Sequence, residues 1–86
     1  MTTHYLNTTK SLREEWNGSN HLSIFYSYAT PVAFRHYGSL TVSENVWSRT
    51  TGKHLTQIDG GAKKERVPHE EFEKLLNNAK ELSDNV

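Results

Sequence analysis

The sequence predicts an α+β fold: a small antiparallel sheet of about three strands packed by an amphipathic C-terminal helix, with or without a short middle helix. Two observations support this prediction. Side chains alternate with period two over residues 22–28, and an apolar stripe with helical spacing follows Pro68. A chain of 86 residues has room for a single thin core, so residues 1–86 are expected to form one small domain.

The first 20 residues give the weakest pattern. Leu12 and Trp16 lie four positions apart, just before Asn17 and Gly18. This spacing is typical of a short amphipathic turn or helix that packs on a sheet. We therefore expect residues 1–20 to be a poorly defined N-terminal segment.

The predicted strands occupy residues 22–28, 32–36 and 40–46. The first of them alternates with period two and is rich in aromatic residues, which is typical of a strand. Its two alternating sets are Leu22, Ile24, Tyr26 and Tyr28, and Ser23, Phe25 and Ser27. Pro31 has no N–H to donate to a sheet, so it predicts a bulge, an edge or a turn at this point. Tyr37-Gly38-Ser39 predicts a turn into the third strand.

Residues 46–58 fit two structures. A helix would begin after an N-cap at Ser48 and end before Gly60. A hairpin would instead turn at residues 50–53, and two threonines together with Gly52 weaken the helix. The end signals favour the helix, whose apolar stripe would consist of Trp47, Thr51, Leu55 and Ile58.

The C-terminal helix is predicted at residues 69–82. Pro68 suits the first turn of a helix, where its missing N–H would have no partner. Residues 59–67, which contain two glycines and a run of basic residues, are interpreted as a flexible basic linker to this helix. The stripe expected to face the core consists of Phe72, Leu75, Leu76, Ala79 and Leu82.

Composition restricts the class of protein. The chain has no cysteine, which rules out disulfides and thiolate sites and fits a reducing, cytoplasmic environment. Its apolar runs are short and its N-terminus does not resemble a signal peptide, so we expect no membrane partner.

Charge is balanced overall but not along the chain. Ten basic residues offset ten acidic ones. By segment, however, the net charge is +1 for residues 1–36, +2 for residues 37–66 and −3 for residues 67–86. The middle of the chain is therefore modestly basic and the predicted last helix is acidic, a pattern that also fits ordinary solvated surfaces.

Two short motifs resemble a known sequence pattern. Residues 27–33 read SYATPVA, and residues 47–54 read WSRTTGKH. Together they resemble S-Y-x-T-x-V-A followed by S-x-T-T-x-K-H, a pattern of small proteins of unknown activity from tailed bacteriophages and prophages. The resemblance covers residues 27–55 and implies a phage or prophage origin and action in the host cytoplasm, without implying a reaction.

The sequence predicts no catalytic, cofactor or metal site. No two histidines lie three or four positions apart, so no helical face offers a pair of metal ligands. A nucleophile elbow and a phosphate loop are also missing. We therefore expect a non-enzymatic protein. The histidines are His4, His21, His36, His54 and His69.

The most distinctive candidate for binding lies in the middle of the chain. On a helix, Arg49 and Lys53 would share one face beside free N–H groups, a geometry suited to phosphate. His54 adjoins them, and exposed aromatic rings would offer stacking surfaces. Purely structural roles for His54 and Trp47 remain open. The further candidates are Lys63, Lys64, Arg66, Tyr28, Tyr37 and Trp47.

Two functions follow as hypotheses. The first is a small phage-type accessory protein that binds a host or phage protein, for example to inhibit a CRISPR or restriction component. The second is a nucleic-acid-binding accessory protein that uses a basic patch around residues 49–66. Aromatic residues on an uncovered sheet face would also permit a homodimer.

Overall fold

The computed structural model of the chain describes residues 2–17 and 21–84. In this part of the chain the strands form one antiparallel sheet in the order β1-β2-β3-β4-β5. Each strand pairs with its neighbour in sequence, so the sheet is a simple meander. The strands are β1 (Thr2–Tyr5), β2 (Leu12–Asn17), β3 (Leu22–Ser27), β4 (Thr30–His36) and β5 (Ser39–Val42). The helices are α1 (Arg49–Asp59), a 3₁₀ helix (Lys63–Glu65) and α2 (His69–Asp84).

The prediction of about three strands is wrong, because the sheet has five. Both additional strands come from the N-terminal segment, where β2 pairs with β3 from Leu12 opposite Ser27 to Asn17 opposite Leu22. Residues four apart share a face in a helix and in a strand alike. The spacing of Leu12 and Trp16 therefore fits a helix and a strand equally well. Residues 12–17 form a strand because they pair with β3. Leu12 is fully buried.

The two α-helices cover opposite faces of the sheet. Phe25 of β3 packs in one apolar cluster with Leu55 of α1. Phe34 of β4 packs in a second cluster with Phe72 of α2, and Ile24 borders that cluster. Because neighbouring residues of a strand point to opposite faces, the sheet lies between two helical layers. The protein is therefore α+β. Helix α1 covers the sheet face for which the sequence predicted no covering helix.

The hairpin between β3 and β4 contains a bulge near Pro31. Phe25 pairs with Ala33, whereas Tyr26 pairs with Pro31, so Val32 is the extra residue. A bulge was one of the three structures that Pro31 predicted. The third predicted strand is shorter than expected, because β5 ends at Val42 and the chain then forms a parallel bridge from Ser43 to Val67.

Helix α1 forms in place of the alternative hairpin. Ser48 caps it, since the Ser48 hydroxyl accepts a hydrogen bond from the Thr51 N–H at 3.3 Å. Gly60 ends it in the left-handed conformation with φ of 69°, and its N–H bonds the Thr56 carbonyl. These are the cap and stop that the sequence indicated.

Helix α2 runs two residues beyond the predicted end. Phe72, Leu76 and Ala79 are buried, but Leu75 is 38% exposed and Leu82 is 52% exposed. The prediction that these two leucines face the core is wrong. The helix contacts the sheet along β3 and β4, so only a narrow stripe is covered.

The segment from residue 59 to residue 67 is tied to the fold. Arg66 forms two hydrogen bonds with the Asp59 carboxylate, at 2.8 and 3.0 Å, and both side chains are only 6% exposed. These bonds hold the pKa of Asp59 below its usual value, against the effect of burial. Val67 donates its N–H to Val42 at 2.9 Å. The sequence suggested a flexible linker here.

No helix in the described residues is both long enough and apolar enough to cross a membrane.

Candidate functional site

A groove of about 590 Å³ lies beside α1, between the loop that follows β5 and the 3₁₀ helix. We call it the basic groove. It brings together side chains from three separate stretches of the chain. Its lining includes Asn45, Arg49, Gly52, Lys53, Lys63 and Arg66.

Three cations in the basic groove have no acidic partner among the described residues: Arg49, Lys53 and Lys63. Arg66 differs from them, because its charge is neutralised by Asp59. The groove also contains Glu44, whose carboxylate accepts a hydrogen bond from the backbone N–H of His69 at 3.3 Å. Positive charge therefore exceeds negative charge in the groove.

The N-terminal end of α1 adds to this positive field. The first turn of α1 contains no acidic residue that would offset the helix dipole. Arg49 occupies the first position of the helix, and Lys53 follows one turn later on the same face. Anions are attracted both by side-chain cations and by the positive end of a helix, so the two effects act together here.

Gly52 and Asn45 pack closely together in the lining of the basic groove. A Cβ atom at this position would lie only 2.9 Å from Nδ2 of Asn45. Asn45 in turn fixes the loop before α1: its Nδ2 donates to the Ser48 carbonyl and its Oδ1 accepts from the Trp47 N–H, each at 3.0 Å. Glycine therefore stands at this helical position because the Asn45 side chain packs against the backbone.

Gly52→Ala is expected to fail to stabilise the protein. In an unobstructed helix this change would add about 1 kcal/mol to the free energy of unfolding. Here the new methyl group would displace Asn45 and break its two loop hydrogen bonds. In an Asn45→Ala background the obstruction is gone, so Gly52→Ala should recover a gain of about 1 kcal/mol. Urea unfolding of the wild type, the two single variants and the double variant measures the effect of Gly52→Ala with and without the Asn45 side chain. An equal change in the free energy of unfolding in both cases would contradict this packing.

The structure distributes the nine predicted binding residues over several places. Four of them line the basic groove, namely Arg49, Lys53, Lys63 and Arg66. Lys64 is exposed on the 3₁₀ helix outside the lining of that groove. The remaining four lie elsewhere: His54 in the core, Trp47 at its edge, and Tyr28 and Tyr37 at opposite ends of β4.

His54 belongs to a buried polar cluster that joins α1 to the sheet. Its Nδ1 lies 2.7 Å from the Ser27 hydroxyl, and its Nε2 lies 3.4 Å from the Ser11 hydroxyl and 3.5 Å from Nδ2 of Asn7. Ser27 is only 2% exposed and His54 only 6%. A substrate could not reach the Ser27 hydroxyl, so we interpret this pair as part of the packing between α1 and β3.

Stability should depend on pH through His54. Burial lowers the pKa of His54 below its ordinary value of 6.5, and the hydrogen-bonding neighbours are neutral groups. The unfolded chain therefore binds this proton more readily than the folded one. The free energy of unfolding should be greatest above about pH 6.5 and should fall as the pH decreases below it. Urea unfolding between about pH 7.5 and pH 5.5 measures this loss. The His54→Gln variant should lose less free energy of unfolding over that range. If the free energy of unfolding of the variant fell with decreasing pH as steeply as that of the wild type, His54 would not be the group responsible.

A second cavity, of about 440 Å³, lies at one end of the sheet. We call it the sheet cavity. Its principal lining residues are Glu14, Trp16, His21, Arg35 and Tyr37. Sequence analysis found only Tyr37 among these residues, because cross-strand pairing brings the others together. The histidines and acidic residues of the described chain, by contrast, include no group of three arranged to hold a metal ion.

Two non-glycine residues that line the sheet cavity have a left-handed backbone conformation. Tyr37 and Gly38 form the two-residue turn between β4 and β5 with φ of 51° and 83°. Two positive φ values are typical of a type I′ turn, in which Asn or Gly is preferred at the position of Tyr37. His21 also has a positive φ, of 54°. Such conformations cost about 1–3 kcal/mol for ordinary residues and are concentrated at functional sites.

Fold and groove together define a class: a small α+β protein with a meander sheet between two helices and one basic groove beside α1. Residues 2–74 match DUF8033, a family of unknown function, and the protein belongs to this family. The match includes all five strands, α1 and the start of α2. Neither the curated proteins nor the solved structures include a significant match to the chain.

Proposed function

We propose that the protein binds the phosphate backbone of nucleic acid through the basic groove. The observation that carries this proposal is that Arg49, Lys53 and Lys63 line one groove beside α1. No acidic partner neutralises them among the described residues. Cations and helix N-termini are the groups that contact phosphate in nucleic-acid complexes.

The distribution of charge supports binding in one orientation. The net charge of the chain is zero, so the protein as a whole attracts nucleic acid only weakly at long range. The local positive charge of the basic groove therefore determines where nucleic acid binds. Helix α2 exposes Glu70, Glu71, Glu73 and Glu81, which would repel a phosphate backbone. Nucleic acid would therefore contact the α1 side of the molecule and avoid α2. Contacts to phosphate alone carry little sequence information, so the binding would be largely independent of sequence.

Chemical-shift mapping tests the location of binding. A short oligonucleotide added to the ¹⁵N-labelled protein at low salt should shift the amide signals of residues 49–56 and of Lys63 most strongly. The signals of residues 70–82 on α2 serve as the internal control and should move little. Shifts concentrated on α2, or no shifts at all, would refute the proposal.

Protein binding is a second candidate function, and one observation favours it. Leu75 and Leu82 lie seven positions apart on α2, and both are exposed. Positions i and i+7 share one helix face, so the two leucines form a short apolar strip that a partner protein could cover. The partner suggested by the resemblance to phage proteins is a host or phage protein.

A pulldown from nuclease-treated lysate tests this second candidate. A stoichiometric partner should bind the wild-type protein and should be lost from the double variant Leu75→Ser, Leu82→Ser. The matched control is Lys74→Ser, on the same helix. Retention of the partner by the leucine variant would count against the strip as the binding surface.

A further inference from the structure

The sheet cavity shares no lining residue with the basic groove, so it is a separate candidate site. It lies on the sheet face that carries α1, because Glu14 pairs with Phe25 and Trp16 pairs with Ser23 in the same register. Helix α1 covers Phe25 and leaves this end of the face open. The volume of about 440 Å³ falls in the range of about 300–1,000 Å³ that is typical of small-molecule sites.

Aromatic rings supply the walls of the sheet cavity. The rings of His21 and Tyr37 are stacked, with centroids 4.7 Å apart and planes inclined by 21°. Trp16 adds an indole ring. Tyr37 is 65% exposed although it occupies a turn position that favours asparagine or glycine. This ring contributes little to the core, so most of its surface is free to contact a ligand.

A carboxylate and a guanidinium supply the polar part of the cavity. Nη1 of Arg35 lies 3.6 Å from Oε2 of Glu14, which is longer than the 2.7–2.9 Å of a strong charge-assisted hydrogen bond. Both groups therefore retain hydrogen-bonding capacity. Glu14 is 15% exposed and Arg35 is 44% exposed. The Arg35 guanidinium also lies over the Phe25 ring, 5.6 Å from its centroid, which holds it against the sheet.

We propose that the sheet cavity binds a nucleobase, with guanine preferred. A flat ring fits a site walled by Trp16 and Tyr37, since bases stack on aromatic side chains. Guanine presents two adjacent donors, its ring N–H and its amino group, to a single carboxylate, and its O6 accepts from a guanidinium. Glu14 and Arg35 offer this combination of acceptor and donor. The site requires no phosphate, so it does not depend on the basic groove.

Titration with free nucleosides tests the proposal, because nucleosides carry no phosphate and the basic groove contributes nothing to their binding. Guanosine should shift the indole N–H signal of Trp16 in a saturable manner, and adenosine, cytidine and uridine should bind more weakly. Tyr37→Asn should weaken guanosine binding about tenfold, as expected for the loss of one stacking contact. The melting temperature of this variant should not fall below that of the wild type, because asparagine is favoured at this turn position.

Two further variants complete the experiment. Glu14→Gln retains the shape of the side chain and should reduce the preference for guanosine over adenosine. Lys74→Glu on α2 is the control and should bind guanosine as the wild type does. The proposal would be overturned by the absence of a saturable shift at millimolar guanosine, by equal affinity for all four nucleosides, or by unchanged binding in Tyr37→Asn. Binding of oligonucleotides by the basic groove could succeed or fail independently of these results.

Discussion

Reversing the charges of Arg49 and Lys53 together is expected to weaken nucleic-acid binding about a thousandfold at low salt. The double variant Arg49→Glu, Lys53→Glu replaces two attractions to phosphate with two repulsions, each worth about 1 kcal/mol at a solvent-exposed contact. The loss should be similar for all sequences, because the groups contact phosphate and not bases. Fluorescence anisotropy with a labelled oligonucleotide measures it.

The same double variant should remain folded. Glutamate at the first position of α1 interacts favourably with the helix dipole, and Arg49 makes no ion pair within the described residues. The matched control is Lys74→Glu, Lys80→Glu, which makes the same change in net charge on the exposed side of α2. Equal losses of affinity in the two double variants would mean that total charge, and not the basic groove, governs binding.

Replacing Phe72 with alanine is expected to lower the free energy of unfolding by about 3–5 kcal/mol. Phe72 is only 1% exposed and lies against Phe34 with ring centroids 5.8 Å apart. Its removal would leave a cavity between α2 and the sheet, at the centre of the cluster that holds this helix in place. Since small domains have a total stability of about 5–15 kcal/mol, this loss is a large fraction of the total. Urea denaturation measures the change.

Leu75→Ala provides the control for Phe72→Ala on the same helix. Leu75 is 38% exposed, so its truncation should cost less than about 1 kcal/mol. The sequence pattern placed both residues on one apolar stripe, and the structure separates them. A comparable loss of stability in the two variants would contradict the packing of α2 described above.

The helices could be predicted from the sequence because their signals are local. Ser48 and Gly60 mark the ends of α1, and Pro68 precedes α2. The N-terminal strands could not be predicted in the same way. Residues of β2 such as Glu14 and Glu15 are poor strand formers, and their conformation is determined by pairing with β1 and β3.

The basic groove could be predicted in part. The spacing of Arg49 and Lys53 on a helix is a local property, whereas the approach of Lys63 depends on the turn that the Asp59–Arg66 pair stabilises. Sequence analysis counted Arg66 as a free cation, because the position of Asp59 relative to it is a property of the folded chain. The sheet cavity depends on register across β2, β3 and β4, which no local pattern specifies.

The salt dependence of nucleic-acid affinity tests the central claim most directly. If Arg49, Lys53 and Lys63 neutralise phosphates, the logarithm of the association constant should fall linearly with the logarithm of salt concentration, with a slope of about −2 to −3. The variant Arg49→Glu, Lys53→Glu should lose most of this slope. A wild-type slope near zero, or the same slope in the variant, would show that the basic groove does not bind phosphate.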